Sequence, residues 1–240
     1  MAQSHTQTYE IGTCKVALYG EQLHLNSDAE ISRLQAIELG AHPEYIAQIV
    51  TASSDKDPGY RNIVHDVFGK KSQADGVLLK TPRSAGIIQT ADCPAVILYD
   101  TKSHQVVLAH AGRPAVSPSG HCTSCTVVGN ALHALIGSDG DPTTVFALVV
   151  GNICGPCFKH DHASATHLIE PFFKLPAQVF ADRALGALDL YEVIKHQLLF
   201  RGVLEENIRH EGPCTLETEG LSSYRRDQTL LRNTIIVVRQ

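Results

Sequence analysis

Ala95-Val-Ile-Leu-Tyr99 and Val106-Val-Leu-Ala109, separated by a short polar segment, decide the fold. Both runs are short, apolar and partly β-branched, which predicts two buried strands. If residues 100–104 form a hairpin loop between them, the strands are antiparallel and their outer ends lie side by side. This hairpin excludes a purely parallel sheet, so we expect strands of mixed direction.

A thiol and an imidazole flank these two predicted strands. Cys93 stands just before the first run, and His110 directly follows the second. The hairpin would bring their sulfur and ring nitrogen together at one end of the sheet, as a zinc or copper site requires. Asp92 beside the thiol and Gly112 after the imidazole favour such a site. The competing interpretation is structural, because a free cysteine is often buried as a small hydrophobic residue.

Five segments carry a resemblance to a known family. In chain order they are Ala74-Asp-Gly-Val-Leu-Leu-Lys-Thr-Pro82, Gln89-Thr-Ala-Asp-Cys93, Ala109-His-Ala-Gly112, Gly151-Asn-Ile-Cys-Gly-Pro-Cys157 and Ser223-Tyr-Arg-Arg-Asp227. Through them the chain resembles the multicopper polyphenol oxidases, or laccase-domain proteins, some of which are described as purine nucleoside phosphorylases. The resemblance implies an α/β (α+β) fold, a mixed β-sheet layered with helices and with the site at strand ends. We expect one such domain over residues 1–240, since no linker divides the chain.

The resemblance also implies a set of functional residues. Cys93 and His110 would be the catalytic residues and would bind the metal, which would be zinc or, as the alternative, copper. Tyr224 and Arg225 would bind the substrate, a purine nucleoside together with phosphate. Two adjacent guanidinium groups cannot both point the same way from an extended segment. One arginine of this motif could therefore enter a pocket while the other pairs with Asp227.

Two departures from the family pattern affect the metal and the substrate. Ser53 stands where the family has a metal-binding histidine, and a hydroxyl is a poor ligand for zinc or copper. His65 is the nearest substitute along the chain, although we interpret it as an exposed loop residue. The family's His-Ala-Gly motif usually continues with Trp-Arg-Gly, whereas this chain has Arg113, Pro114 and Ala115. Arg113 could bind phosphate from its shifted position or be an ordinary surface arginine.

Composition limits the classes of partner. The 240 residues include 20 lysines and arginines against 25 aspartates and glutamates, and no basic cluster is visible, which argues against a nucleic-acid partner. No run of about 18 apolar residues that could span a membrane occurs, and the polar start lacks the features of a secretion signal. We therefore expect a soluble, cytoplasmic protein that acts on a small molecule, without nucleic acid or membrane. The oligomeric state stays open.

The seven cysteines are expected to be mostly reduced thiols. Cys154-Gly-Pro-Cys157 repeats the active-site string of thioredoxin, but it occurs late in the chain rather than after the first strands of a small domain. We therefore predict that these two thiols are not a redox pair. A four-thiol zinc site that joins them to Cys122 and Cys125 is a minor alternative.

Periodicity and caps place the other elements. We predict a strand broken by Gly12-Thr13 over residues 8–19, helices over residues 26–39, 126–136 and 185–200, and strands over residues 145–150 and 234–238. Residues 42–50 fit either a helix that begins with proline or a strand. His160, His162 and His167 occur in a polar segment that we interpret as a loop rather than a metal site.

Three functions remain open at this point. The first is phosphorolysis of a purine nucleoside with a metal held by Cys93 and His110. The second is oxidation of phenols by copper, although the chain has no evident set of His-x-His pairs. The third is a member that only binds its ligand, because loss of the histidine at Ser53 has disabled the metal site.

Overall fold

The computed structural model describes residues 6–22, 26–51, 60–118, 125–228 and 230–240. Its strands, in chain order, are β1 Thr6–Ile11, β2 Cys14–Gln22, β3 Ile46–Val50, β4 Ile63–His65, β5 Lys71–Gln73, β6 Gly76–Leu79, β7 Ala85–Thr90, β8 Ala95–Asp100, β9 Val106–His110, β10 Val145–Val150, β11 Phe180–Asp182, β12 Ala187–Leu188, β13 Ile208–Glu211 and β14 Arg232–Val238. Its helices are α1 Asn26–Glu38, α2 Arg113–Val116, α3 Val127–Ile136, α4 Leu190–Phe200 and α5 Tyr224–Asp227.

Two mixed sheets form the centre of the fold. The first has the strand order β1-β2-β14-β7-β3-β5 and the second the order β13-β10-β8-β9-β6-β4, while β11 and β12 form a small separate ribbon. Strands β3, β5 and β7 run parallel in the first sheet, as do β10 with β13 and β4 with β6 in the second. The remaining pairs are antiparallel. The predicted α/β (α+β) class with mixed strand directions is confirmed, and the strands are divided between two sheets.

Strand β8 shows how the layers pack. Val96 and Leu98 contact the core beneath α3 and α4, whereas Ile97 and Tyr99 belong to the core between the two sheets. Both faces of the strand are therefore buried, which explains a continuous apolar run instead of an alternating one. On the far side of the first sheet, a third core forms around α1. The layers follow the order helix, sheet, sheet, helices.

The predicted hairpin is present and sets the position of the site. Strands β8 and β9 are antiparallel, and Ala95 at the start of one lies opposite His110 at the end of the other. The Asp100 carboxylate closes the loop, because it accepts hydrogen bonds from the Ser103 backbone N–H (2.9 Å) and hydroxyl (2.7 Å). The outer strand ends, with Cys93 and His110, therefore meet at one edge of the second sheet.

Most other predicted elements are confirmed, with local differences. Of residues 42–50, those from Ile46 to Val50 form strand β3, and no helix forms in this segment. The helix predicted over residues 185–200 begins only at Leu190, because the Asp189 carboxylate caps the N–H groups of Tyr191 and Glu192. His65 lies in strand β4 and not in a loop, although its side chain is exposed as expected.

The predicted break at the first strand is the turn between β1 and β2. Gly12 has a φ of +56°, and a Cβ atom there would lie 2.1 Å from the ring of Tyr99. Glycine is therefore required both by the backbone conformation and by the aromatic ring packed against it. None of the helices in the described ranges is long and apolar enough to cross a membrane.

Candidate active site

A cavity of about 610 Å³ opens at the edge where β8 and β9 end. Its lining includes all four residues that the sequence assigned to the site, Cys93, His110, Tyr224 and Arg225. Other polar lining residues are Gln89, Thr90, Asp92, Arg113, His160, Gln228 and Arg232, and the apolar lining includes Phe158, Leu168 and Leu190. Charged, aromatic and metal-binding groups therefore face one space.

Gly112 keeps the thiol and the imidazole accessible. A Cβ atom built on this residue would lie 3.1 Å from Cys93 Sγ and 3.2 Å from His110 Nε2, so both atoms border the same small space. The φ of Gly112 is −60°, which any residue can adopt. Glycine is therefore needed here for space and not for backbone conformation. Sulfur and imidazole nitrogen suit zinc or copper, and the pair fits two ligand positions of such an ion.

Asp75 supports the imidazole from behind. Its carbonyl accepts the His110 backbone N–H at 2.7 Å, and its carboxylate lies 3.6 Å from His110 Nδ1, an ion-pair contact too long for a hydrogen bond. Burial alone would lower the pKa of His110, but Asp75 and Cys93 outweigh it and raise that pKa to about 9. Asp75 also accepts the Arg61 backbone N–H at 2.6 Å. No feature of the sequence predicted a role for this buried aspartate.

Asp92 connects the cysteine to the far wall of the cavity. Its carboxylate accepts one hydrogen bond from the Thr215 hydroxyl and one from the Arg225 backbone N–H, each at 2.7 Å. Its carbonyl accepts the Ile153 N–H at 3.0 Å. Asp92 has a φ of +77°, which is strained for any residue other than glycine, and these three hydrogen bonds hold it in that conformation. The backbone beside Cys93 is therefore fixed by contacts with distant segments.

Arginines supply positive charge to the cavity. Arg225 donates to the Lys159 carbonyl at 2.9 Å and lies 5.1 Å above the Phe158 ring, and Arg113 donates to the Leu168 carbonyl at 3.0 Å. Because these acceptors are neutral, the two guanidinium charges are not neutralised by them. Burial lowers the pKa of Arg113.

Arg226 points away from the cavity. It forms a two-pronged ion pair with Asp227 at 2.7 and 2.8 Å and donates to the carbonyls of residues 215, 216, 218 and 221. The two arginines of the motif therefore diverge, with Arg225 toward the cavity and Arg226 on a neighbouring loop.

His160 lies in a loop, as predicted, but it also lines the cavity, which the sequence did not indicate. It is only 5% exposed, it stacks edge-on against Phe158, and its Nδ1 donates to the Gly186 carbonyl at 3.1 Å. Burial lowers the pKa of His160, and the charges of Arg113 and Arg225 lower it further. His162 and His167 are exposed, as expected. The polar sequence around His160 contains no periodicity that would reveal its burial.

The third metal ligand suggested by the family pattern is not among the described residues. Ser53 falls outside them, and His65 does not line the cavity. Within the ranges that the structure describes, no third His, Cys, Asp or Glu completes a metal-binding group with Cys93 and His110. The structure thus brings together the sulfur and imidazole that the sequence predicted, without a further protein ligand from the described segments.

A second group of cysteines lies elsewhere. Cys154 and Cys157 gather with Cys214 and Glu217, and their four ligand atoms lie within 4.8 Å of one another. Burial and the neighbouring sulfurs raise the pKa of the Cys157 thiol, the opposite of the lowered pKa that activates a redox cysteine. Cys125 is disulfide-bonded and does not belong to this group, and Cys122 lies outside the described residues, so the minor alternative of a four-thiol site with these two cysteines is not what gathers here.

Comparison with known proteins places the chain in a family. The sequence model of the family described as multi-copper polyphenol oxidoreductase laccase matches residues 29–239. The chain belongs to this laccase family. Relatives include purine nucleoside phosphorylase SCO2081 of Streptomyces coelicolor, 30% identical over 65% of this chain, and purine nucleoside phosphorylase ORF3 of Streptomyces griseus, also 30% identical over 65%. The matched regions span 60% and 58% of those two proteins.

Solved structures of other proteins share the fold. Neisseria meningitidis protein NMB0706 has a TM-score of 0.76 at 19% identity, and the match covers 98% of this chain and 99% of the other. Hypothetical protein YfiH of Bacillus licheniformis has a TM-score of 0.72 at 18% identity, with 95% and 93% covered. At such identities the likeness shows the fold alone.

Proposed function

We propose that this laccase-family protein catalyses the phosphorolysis of a purine nucleoside in the cavity beside Cys93 and His110. The observation that carries the proposal is the convergence of the thiol and imidazole with the guanidinium groups of Arg113 and Arg225 on one cavity. The names of the relatives support the same reaction class. In this reaction the bond between C1′ and the base nitrogen breaks, and a phosphate oxygen forms a new bond to C1′.

Phosphate would bind between Arg113 and Arg225. Both side chains are oriented by hydrogen bonds to the carbonyls of Leu168 and Lys159, which fix the guanidinium groups without cancelling their charge. Planar guanidinium groups suit the paired oxygens of phosphate. Their charge would also stabilise the phosphate as it attacks C1′. Arg113 would therefore replace, from a shifted position, the arginine of the usual family motif.

The nucleoside would occupy the rest of the cavity. Phe158, Leu168 and Leu190 offer apolar surface to a flat purine, and Gln89 offers an amide for its polar edge. Tyr224 is 58% exposed at the rim and would cover the sugar. A volume of about 610 Å³ lies within the usual range of roughly 300–1,000 Å³ for small-molecule sites.

Cys93 and His110 would hold zinc as the resident metal. Such an ion supplies a Lewis acid that polarises a bound oxygen and stabilises developing negative charge. The protein's own contribution is orientation: strand ends hold both ligands, Asp75 stands behind His110, and Gly112 leaves space beside them. Ser53 stands where the family has a third ligand, so we expect weaker zinc binding than in members that keep that histidine.

Copper-dependent phenol oxidation is the competing function, favoured by the family's name. It needs several copper ions, whereas the described residues of the cavity form no group of three or more metal ligands. A protein that binds nucleoside without turnover is the other alternative. Neither alternative predicts that the purified protein releases free base from inosine.

The test measures release of free base from inosine and from adenosine, with and without phosphate, on zinc-loaded protein. We expect base release that requires phosphate and is lost in Cys93→Ala. Arg225→Gln should raise the KM for phosphate at least about tenfold, the loss expected for one charged contact. Arg33→Gln, an exposed arginine bonded to Pro43, serves as the matched control. Turnover of a phenolic dye with copper and none of inosine would instead favour the oxidase.

The Ser53→His variant tests whether the metal site at Cys93 and His110 is weakened by the missing histidine. We expect this variant to bind zinc more tightly and to turn over inosine faster, because it restores an imidazole ligand. Zinc affinity measured by chelator competition tests this directly. One equivalent of zinc that is lost in Cys93→Ala, and whose affinity is the same in the unmodified protein and in Ser53→His, would mean that another residue is the third ligand.

A further inference from the structure

We propose that Cys154, Cys157, Cys214 and Glu217 form a structural zinc site, separate from the metal site at Cys93 and His110. Each contributes one ligand atom, and these four atoms lie within 4.8 Å of one another. Three sulfurs and one carboxylate oxygen are a complete ligand set for tetrahedral zinc. The bonds of about 2.0–2.3 Å in such a site place neighbouring ligand atoms about 3.5–3.8 Å apart, so only small inward shifts are needed.

The spacing of the ligands along the chain supports this proposal. Cys154 and Cys157 are separated by two residues, and so are Cys214 and Glu217. A short 3₁₀ turn, Gly155–Cys157, brings the first pair together, with the Cys157 N–H donating to the Cys154 carbonyl at 3.1 Å. The second pair has the corresponding turn, in which the Thr218 N–H donates to the Cys214 carbonyl at 3.1 Å. Two tight turns that each supply two ligands are the usual construction of a zinc site.

One hydrogen bond already joins the two turns. The Cys154 backbone N–H donates to Cys214 Sγ at 3.2 Å, and Cys154 Sγ lies 3.9 Å from a carboxylate oxygen of Glu217. A backbone donor aimed at a sulfur stabilises the thiolate that zinc requires. On binding, each thiol would lose its proton, and the ion would offset most of the negative charge that results.

The ligand set points to zinc and to a structural role. Thiolates select zinc, copper(I) and iron–sulfur clusters, and the carboxylate in the fourth position suits zinc best among these. Four protein ligands leave no open position for substrate, which is the mark of a structural site. The three cysteines are half-buried and Glu217 is exposed, so the ion can enter from solvent on the side of the carboxylate.

The proposed zinc would brace one wall of the cavity. Phe158 follows Cys157 and lines the cavity, and Thr215 follows Cys214 and donates its hydroxyl to Asp92. The ion would therefore lock together the segment that carries the aromatic wall and the loop that positions Asp92. This inference does not depend on the reaction proposed above, because none of its ligands is part of the phosphate or nucleoside site.

The test uses Cys93→Ala protein, which lacks the thiolate of the cavity site, freed of metal by chelator under reducing conditions. Cobalt(II) and zinc are then added one at a time. We expect one equivalent of cobalt to give an intense near-ultraviolet absorption from bound thiolates, and one equivalent of zinc to abolish it. The further change Cys214→Ala should remove that absorption.

Glu217→Gln in the Cys93→Ala background is the second variant, because an exposed side chain can be changed without loss of fold. We expect at least about tenfold weaker zinc binding, the minimum cost of losing one ligand. Glu219→Gln is the matched control, an exposed glutamate two residues further along the chain. Equal zinc affinity in both glutamate variants would overturn the proposal. The proposal would also be overturned if Cys93→Ala protein bound no metal although a thiol assay showed that its cysteines were reduced.

Discussion

The cavity site and the cysteine cluster both offer ligands that suit zinc, but the cavity brings two of them together and the cluster four. At the cavity, Cys93 and His110 stand on strand ends and face a space of about 610 Å³. In the cluster, Cys154, Cys157, Cys214 and Glu217 face one another across two turns. Zinc sites that catalyse keep an open position, and those that stabilise structure do not. If both sites bind zinc as we propose, this fold separates a site that catalyses from a site that stabilises the structure.

The two sites are also connected. Asp92 precedes Cys93 and accepts the hydroxyl of Thr215, the residue after Cys214. Removing a ligand from one site and measuring the other therefore shows how far they act independently.

The largest effect is expected from Cys93→Ala. Loss of the thiolate should reduce phosphorolysis at least about a hundredfold and remove one equivalent of zinc, because a ligand rather than a supporting residue is lost. Zinc content and base release measure both effects. Cys14→Ala, a buried cysteine of the core between the sheets, is the control and should change neither. Full activity in Cys93→Ala would show that the reaction does not use the cavity thiol.

Gly112→Ala should produce a smaller and more selective loss. The new methyl group would lie about 3 Å from both Cys93 Sγ and the His110 ring, so it would push the two ligands apart. We expect zinc at the cavity to bind at least about tenfold more weakly. The melting temperature should stay nearly unchanged, because the backbone already has a φ of −60°. Equal weakening of zinc binding at the cluster would contradict this steric explanation.

The sequence predicted the parts of the site whose residues are close together along the chain, but not those that depend on contacts between distant segments. The apolar runs before and after residues 100–104 predicted the hairpin, and the hairpin alone brings Cys93 to His110. The two adjacent arginines of the motif predicted that their side chains diverge, and the family resemblance, rather than the spacing, assigned Arg225 to the substrate. These results depend on residues close together in sequence, where strand period and turn chemistry decide the geometry.

His160 and the cysteine cluster depend on long-range packing. His160 is buried against Phe158 and next to the distant residues Leu185 and Gly186, whose carbonyls it contacts, and its polar neighbours in sequence give no sign of this. Cys214 joins Cys154 through a contact between loops that are far apart in the chain. The division of the strands into two sheets was hidden for the same reason, since strands buried on both faces look alike wherever they pair.

Asp92→Asn tests the connection between the two sites. The carboxylate accepts hydrogen bonds from Thr215 and Arg225, and an asparagine can accept only one of them with its single oxygen. We expect the free energy of unfolding to fall by about 1–3 kcal/mol, the usual cost of an unsatisfied buried donor. Urea unfolding measures it, with the exposed Asp139→Asn as the control. A loss no larger than that of the control would mean that these two hydrogen bonds contribute little to the free energy of unfolding.

The smallest effect is expected from pH. Burial lowers the pKa of His160 and of His210 below the ordinary value of 6.5, so the unfolded chain binds more protons than the folded chain. The stability from both groups should therefore be present above pH 6.5 and be lost as the pH falls toward their folded pKa values. Unfolding curves at several pH values should show a weaker dependence in His160→Gln. An unchanged dependence would show that folding does not shift the pKa of His160.

The position of β14 has a consequence for how the chain folds. This strand is the last along the chain among those described, yet it lies between β2 and β7 in the first sheet. Until it arrives, β2 and β7 expose unpaired backbone edges that invite association with other chains. Pairing between strands so distant in sequence also slows folding, because a long loop must close first. The first sheet is therefore complete only when β14 has paired with both β2 and β7.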